Sequence, residues 1–212
     1  FIPKPLLRVG DHYLIEFHLE KLANAGIRDV VINTHWLAEQ IPSALGTGEK
    51  WGLNIQYSHE PELLETAGGI EHVLKNLVDD DSDTFLLING DVYFEWNLGE
   101  WLKKAQALVA GKQAFLALVP NPQHHLEGDF CVQNETHELK SKKMDSDQAY
   151  TYSGLGLYRG SFFSKLGAGY QSLGQLLKEA IEKQTLAGEL EKAFWLDVGT
   201  PERLEELIAR KV

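Results

Sequence analysis

From residue 11 to residue 119 the sequence alternates between stretches of helical periodicity and short apolar runs of strand length. Within residues 11–26, Leu14, Ile15, His18, Leu19, Leu22 and Ala23 recur at helical spacing, and Gly26 supplies a stop. Arg28–Thr34 holds the β-branched run Val30-Val31-Ile32, a strand signal. Trp36–Leu45 reads as a helix closed by Gly46 and Gly48, and Leu53–Ser58 as a strand. A loop over 59–67 and a helix over Gly69–Leu77 follow. After the acidic turn at residues 79–83, Thr84–Ile88 is almost wholly apolar, as a strand covered on both faces of a parallel sheet must be. A helix over Leu98–Val109 and a strand over Ala114–Val119 complete the alternation. Such an order predicts an α/β fold built on a parallel sheet with helical crossovers.

Residues 120–150 break the rhythm. They are polar and irregular, with His124-His125, Gly128 and a charged stretch over 138–147. Together with a strand over Tyr150–Tyr158, they read as a β-rich insertion spanning about 120–158. A helix over Leu173–Lys183, a short strand over Ala193–Leu196 and a helix opened by Thr200-Pro201-Glu202 finish the chain. A length of 212 residues fits a single domain over 1–212.

Charge and cysteine content narrow the function classes. With 31 acidic against 20 basic residues the net charge is −11, which disfavours a nucleic-acid backbone or an anionic membrane as the main partner. Cys131 is the only cysteine, so neither an internal disulfide nor a cysteine-based zinc site is available, and a reducing cytoplasm fits. No apolar stretch reaches the ~18 residues of a membrane span. No G-x-S-x-G or H-E-x-x-H motif occurs. The five tryptophans are scattered and read as core or pocket walls.

Four short constellations carry candidate chemistry. Asn89-Gly90-Asp91 follows the apolar strand directly, and ligands of open α/β sheets bind beyond the carboxyl ends of strands. Asp91 there suits Mg²⁺, a hard ion that accepts carboxylate oxygens and keeps waters and substrate phosphates. The same tripeptide also suits a plain turn. In Trp195-Leu196-Asp197-Val198-Gly199-Thr200 an acid again follows a strand and precedes a helix. Asp197 is either a partner of Asp91 on one metal or an acid favoured by the helix dipole. Leu64-Glu65-Thr66-Ala67-Gly68-Gly69 has two glycines that let backbone amides approach a base or ribose, or it is a flexible loop. In Pro3-Lys4-Pro5 two prolines stiffen the backbone around Lys4, which either faces an anion or is a solvated lysine.

In their order and spacing, Pro3-Lys4-Pro5, Glu65-Thr66-Ala67-Gly68-Gly69, Asn89-Gly90-Asp91, Ser153-Gly154 and Trp195-Leu196-Asp197-Val198-Gly199-Thr200 resemble the sugar-1-phosphate nucleotidyltransferase family from end to end. The resemblance implies a three-layer α/β/α Rossmann-like fold with a mixed, mostly parallel sheet. It implies Asp91 and Asp197 as metal (Mg²⁺) ligands and Lys4 as the lysine that approaches the phosphates. It places Glu65, Gly68, Gly69 and Asn89 on the nucleotide, and Asn89, Asp129, Ser153 and Gly154 on the sugar side. The stretch Asn121-Pro122-Gln123-His124-His125-Leu126-Glu127-Gly128-Asp129-Phe130 is similar to the N-acetylmuramic acid α-1-phosphate uridylyltransferases of peptidoglycan recycling. The implied partners are a nucleoside triphosphate and a sugar 1-phosphate, joined with release of pyrophosphate.

One family element is absent from these residues. An N-terminal strand and glycine-rich loop with an arginine, of the form L-A-A-G-x-G-x-R-x-x-P-L-T, should lie just before Phe1. The resemblance therefore places roughly 20 further residues ahead of Phe1. A chain truly without them is expected to be inactive or nearly so. Three rivals keep their place: transfer to glucose or mannose 1-phosphate or to phosphocholine, a metal-dependent glycosyltransferase, and a non-catalytic nucleotide-sugar-binding regulator. The glycosyltransferase usually shows Asp-x-Asp, to which Asn89-Gly90-Asp91 does not conform. Oligomeric state has no sequence signal.

Overall fold

A computed structural model describes residues 2–34, 37–59, 80, 83–133, 135–142, 144, 147–163 and 172–211. The chain forms two compact units. The first comprises Phe1–Leu63, Asn89–Trp101 and Phe194–Val212; the second comprises Leu64–Ile88 and Leu102–Ala193.

The first unit opens with a 3-10 turn at Lys4–Leu6 and a small antiparallel hairpin, β1 (Arg8–Val9) and β2 (His12–Tyr13). Helix α1 (Leu14–Asn24) begins three residues later than periodicity predicts, because Asp11-His12-Tyr13 are used by the hairpin. Its start is fixed by Glu16, whose carboxylate accepts the Tyr13 backbone N–H at 2.7 Å and so satisfies a donor the helix cannot. Leu14, Ile15, Leu19 and Leu22 form its buried stripe. Strands β3 (Asp29–Thr34) and β4 (Asn54–His59) pair in parallel from Asp29 opposite Asn54 to Thr34 opposite His59. The short helix α2 (Gln40–Leu45) lies between them in sequence. Leu6, Ile15, Leu19, Ile41, Leu45, Leu53 and Ile55 close into one core cluster.

Asn89 opens the next piece of this unit. Strand β6 (Val92–Phe94) pairs antiparallel with β12 (Trp195–Asp197), in the register Trp195 to Phe94, Leu196 to Tyr93 and Asp197 to Val92. The C-terminal helix, numbered α5 here (Pro201–Lys211), buries Leu207 completely. Val9, Leu14, Tyr93, Leu196, Val198 and Leu207 form a second cluster behind the strand pair.

The second unit is a four-stranded mixed sheet in the order β11-β7-β10-β5. Strands β5 (Thr84–Ile88) and β7 (Ala114–Val119) fall on the two apolar runs that the sequence predicts. All six residues of β7 are buried, as expected for an inner strand. Between them runs β10 (Thr151–Arg159), antiparallel to both, while β11 (Leu186–Leu190) lies parallel to β7. The alternation read along the chain predicts parallel neighbours for Thr84–Ile88; its described partner is instead the antiparallel β10. The register of β10 against β7 shifts between Tyr152 and Gly156. Helix α3 (Leu98–Leu108) leads into this unit. A further helix, α4 (Leu173–Glu182), starts at Ser172, whose hydroxyl accepts the Gln175 N–H at 3.2 Å. A two-residue hairpin, β8 (Cys131–Val132) with β9 (Leu139–Lys140), lies within the irregular stretch.

Candidate active site

Three separate pieces of sequence meet at the end of the β6–β12 pair. Lys4 stands on the 3-10 turn whose N–H groups at Leu6 and Leu7 donate to Pro3 and Lys4 carbonyls, at 2.9 and 3.0 Å. Pro5 of that turn rests against Gly90: a Cβ built at Gly90 would lie 3.1 Å from the Pro5 Cγ. Glycine therefore lets the Asn89-Gly90-Asp91 turn approach the proline closely. This contact brings the Lys4 ammonium to the Asp91 carboxylate, Nζ to Oδ2 3.4 Å. Both groups are largely open to water, so the pair is a loose one.

Asp91 and Asp197 come from neighbouring strands. Directly after the last paired residue of β12, the Val198 N–H donates to the Asp91 carbonyl at 2.7 Å. Asp197 itself stands opposite Val92. The backbones of Asp91 and Asp197 are therefore close neighbours at this end of the pair. Each has a cationic partner in the same unit: Lys4 for Asp91 and Arg203 for Asp197, the latter with Nη1 to Oδ2 at 2.7 Å.

The donor set agrees with a hard divalent ion. Among the described residues no group of three or more His, Cys, Asp and Glu forms a complete cage. Mg²⁺ does not need one, because it is usually bound by one or two carboxylates and keeps waters and substrate phosphates. Asp91 and Asp197 are the two carboxylates whose backbones meet at this end of the strand pair.

Behind the site, His18 of α1 is buried and stacks on Phe94 of β6 with ring centroids 5.7 Å apart. Burial pushes its pKa down to about 4, against a weaker raising contribution from the Val92 backbone. The imidazole is neutral at pH 7 and serves as core. Farther along β6, Glu95 holds Arg210 of α5 by two charge-assisted bonds of 3.0 and 2.7 Å, and Arg210 also covers the Phe194 ring. These contacts tie the C-terminal helix to the strand pair.

The remaining candidates fall elsewhere. Asn89 precedes the site turn in the first unit. Glu65, Gly68 and Gly69 lie outside the described residues. Asp129, Ser153 and Gly154 belong to the second unit. Asp129 accepts the Tyr152 N–H at 2.8 Å through one oxygen and faces His125 Nε2 at 3.1 Å through the other. Ser153 is buried, and its hydroxyl accepts the Leu155 N–H at 3.2 Å. Gly154 adopts φ 81° within the irregular part of β10. Lys142 pairs with Glu127 at 2.8 Å.

Sequence reasoning missed Arg203 and the His125–Asp129 contact. Arg203 stands one helical turn beyond Gly199, and His125 four residues before Asp129. Either spacing could have flagged a pair, but only the fold shows which acid each basic group meets.

Comparisons with known proteins place the chain in a family. A family model for nucleotidyl transferases matches residues 2–211. An N-acetylmuramate alpha-1-phosphate uridylyltransferase of Neisseria meningitidis serogroup B is 38% identical over 206 residues, covering 96% of this chain and 87% of that protein. A mannose-1-phosphate guanyltransferase of Saccharomyces cerevisiae is 29% identical over 208 residues, covering 94% of this chain and 56% of that longer protein. A Bacillus anthracis crystal structure described as a glucose-1-phosphate thymidylyltransferase, in complex with a sucrose, superposes with a TM-score of 0.83 at 21% identity, over 98% of this chain and 86% of that one. That likeness shows the fold, a mixed α/β architecture of the Rossmann-like kind. The chain belongs to the nucleotidyl transferase family.

Proposed function

We propose that this protein transfers a uridylyl group from UTP to N-acetylmuramic acid 1-phosphate, releasing pyrophosphate, and so serves peptidoglycan recycling in the cytoplasm. The observation that carries the transfer chemistry is the pairing of Lys4 with Asp91 at the end of the β6–β12 pair, where Asp197 is the last paired residue of β12. The identity to the Neisseria uridylyltransferase along almost the whole chain supports the choice of nucleotide and sugar. The lone cysteine and the acidic net charge agree with a protein of a reducing compartment that does not bind nucleic acid.

In this reading an oxygen of the sugar 1-phosphate attacks the α-phosphorus. A new P–O bond forms as the bond to the β-phosphate oxygen breaks, and its electron pair leaves with pyrophosphate. The attacking phosphate is already ionised at neutral pH, so no side chain needs to remove a proton. Positioning and charge neutralisation then supply the rate. Asp91 and Asp197 would hold Mg²⁺, which when bound would supply positive charge to offset the repulsion between the two anionic substrates. Lys4 adds an exposed ammonium beside Asp91, loosely held and able to turn toward a phosphate. Asn89, with Glu65, Gly68 and Gly69, is assigned to the nucleotide. Asp129, Ser153 and Gly154, with Asn89, are assigned to the sugar.

A second reading keeps the chemistry and changes the substrates. Similarity to a mannose-1-phosphate guanyltransferase over 94% of the chain favours mannose 1-phosphate with GTP as the alternative pair. Pyrophosphate release by the full-length protein, measured over a grid of nucleoside triphosphates and sugar 1-phosphates in Mg²⁺, separates the two. Release confined to UTP with N-acetylmuramic acid 1-phosphate is expected. Release with GTP and mannose 1-phosphate instead would replace the substrate assignment, and nucleotide-sugar binding without any release would point to a regulator.

A further inference from the structure

We infer that Arg203 is a positioning residue for Asp197, fixing the carboxylate in the orientation with which it meets a divalent cation. The inference rests on the reading of Asp91 and Asp197 as metal ligands and adds a residue which that reading does not contain.

Three observations carry it. First, the contact is short and charge-assisted, Arg203 Nη1 to Asp197 Oδ2 at 2.7 Å. Both side chains are mostly shielded, 20% and 28% exposed, unlike the Lys4–Asp91 pair at 55% and 36%. Second, the chain leaves space for this contact at Gly199. A Cβ built there would lie 2.4 Å from Arg203 Nη2 and 2.7 Å from Asp197 Oδ1. A side chain at 199 would push the guanidinium or the carboxylate out of its present position, so glycine there leaves the ion pair undisturbed. Third, helix energetics do not explain an arginine at this place. Arg203 lies in the first turn of α5, just after Thr200, whose hydroxyl receives the Arg203 N–H at 3.4 Å. The positive end of the helix dipole disfavours a cation there. The compensating interaction is the bond to Asp197.

Asp91 and Asp197 carry like charges, and holding one cation between them would require them to approach against their repulsion. Arg203 supplies a fixed positive charge against that repulsion and removes the rotamer freedom of Asp197 before any cation arrives. Hydrogen-bonding partners that orient metal-binding carboxylates this way typically contribute 10–100-fold in metal affinity.

The test is Mn²⁺ binding, read by the electron-paramagnetic-resonance signal of the free ion, on the full-length protein and on Arg203→Met, Arg203→Lys and Asp197→Asn. Folding of each is checked by circular dichroism in EDTA. Arg203→Met is expected to weaken Mn²⁺ binding about 10–100-fold while folded, with Arg203→Lys in between because it keeps the charge and loses the planar fork. Should Arg203→Met fail to fold, Arg203→Lys alone decides. A merely structural role lowers the melting temperature in EDTA but leaves the Mn²⁺ affinity of the folded protein at its original value. That outcome, or tighter binding once the competing cation is gone, overturns the inference while Asp197→Asn still abolishes binding. Unchanged Mn²⁺ binding in Asp197→Asn overturns the metal reading itself, and this inference with it.

Discussion

Asp197 shows how much a single side chain depends on its neighbours. The sequence offers it two roles, metal ligand or helix-terminal acid, and nothing local separates them. The fold adds Arg203 and the absent side chain of Gly199 around it, and places Asp91 across the strand pair. His18 is a second residue whose role comes from its surroundings. At helical spacing among leucines it reads as a core position, and the structure buries it against Phe94 with a pKa of about 4. A depressed basic group works against the fold in acid: the unfolded chain binds the proton below about 6.5, whereas the folded protein refuses it until about 4. Stability is therefore undiminished above pH 6.5, falls as the pH drops toward 4, and levels off below. From pH 7 to pH 5 this one residue removes about 2 kcal/mol. Urea titrations at the two pH values should show a slope that shrinks by that amount in His18→Leu. An equal slope in both proteins would mean that other groups govern acid sensitivity.

At the scale of elements, legibility followed the locality of the forces. Thr84–Ile88 and Ala114–Val119 were readable to the residue because both are continuous apolar runs; Ala114–Val119 is buried throughout as an inner strand, whereas Thr84–Ile88 is mostly half-buried and has β10 as its one described partner. Strand β6 was not readable. Val92-Tyr93-Phe94 is too short for a pattern, and its partner Trp195-Leu196-Asp197 lies about a hundred residues on. Strand β11 escaped because Gly188 and Glu189 interrupt its apolar run; Glu189 is accommodated by the Lys104 ammonium. The direction of β10 was likewise hidden, since register and direction are set by pairing and not by composition. The β6–β12 pair leans on α5 through Leu207, which is fully buried among Val9, Leu14, Tyr93, Leu196 and Val198. Leu207→Ala should cost about 2–5 kcal/mol in a denaturant titration, because a helix held at both ends cannot collapse into the cavity. A loss below about 1 kcal/mol would show that the helix slides to refill it.

At the scale of the whole molecule, the family and the fold class were legible because several weak motifs occur in a fixed order. The site was legible only as a set of strand-end acids and a stiffened lysine. That they meet required the fold, for Lys4 and Asp91 are 87 residues apart in sequence. The sugar-side candidates Asp129 and Ser153 show the converse: their side chains make definite contacts within the second unit, which sequence spacing alone does not reveal. Asp91 and Asp197 together form the proposed transfer centre. The most direct measurement is steady-state pyrophosphate release in Mg²⁺ by the full-length protein and by Asp91→Asn and Asp197→Asn, each confirmed folded by its thermal melt. Each substitution is expected to lower kcat by roughly two orders of magnitude or more, as loss of charge stabilisation in a preorganised site does. Near-normal turnover in either variant at ordinary Mg²⁺ would contradict that role.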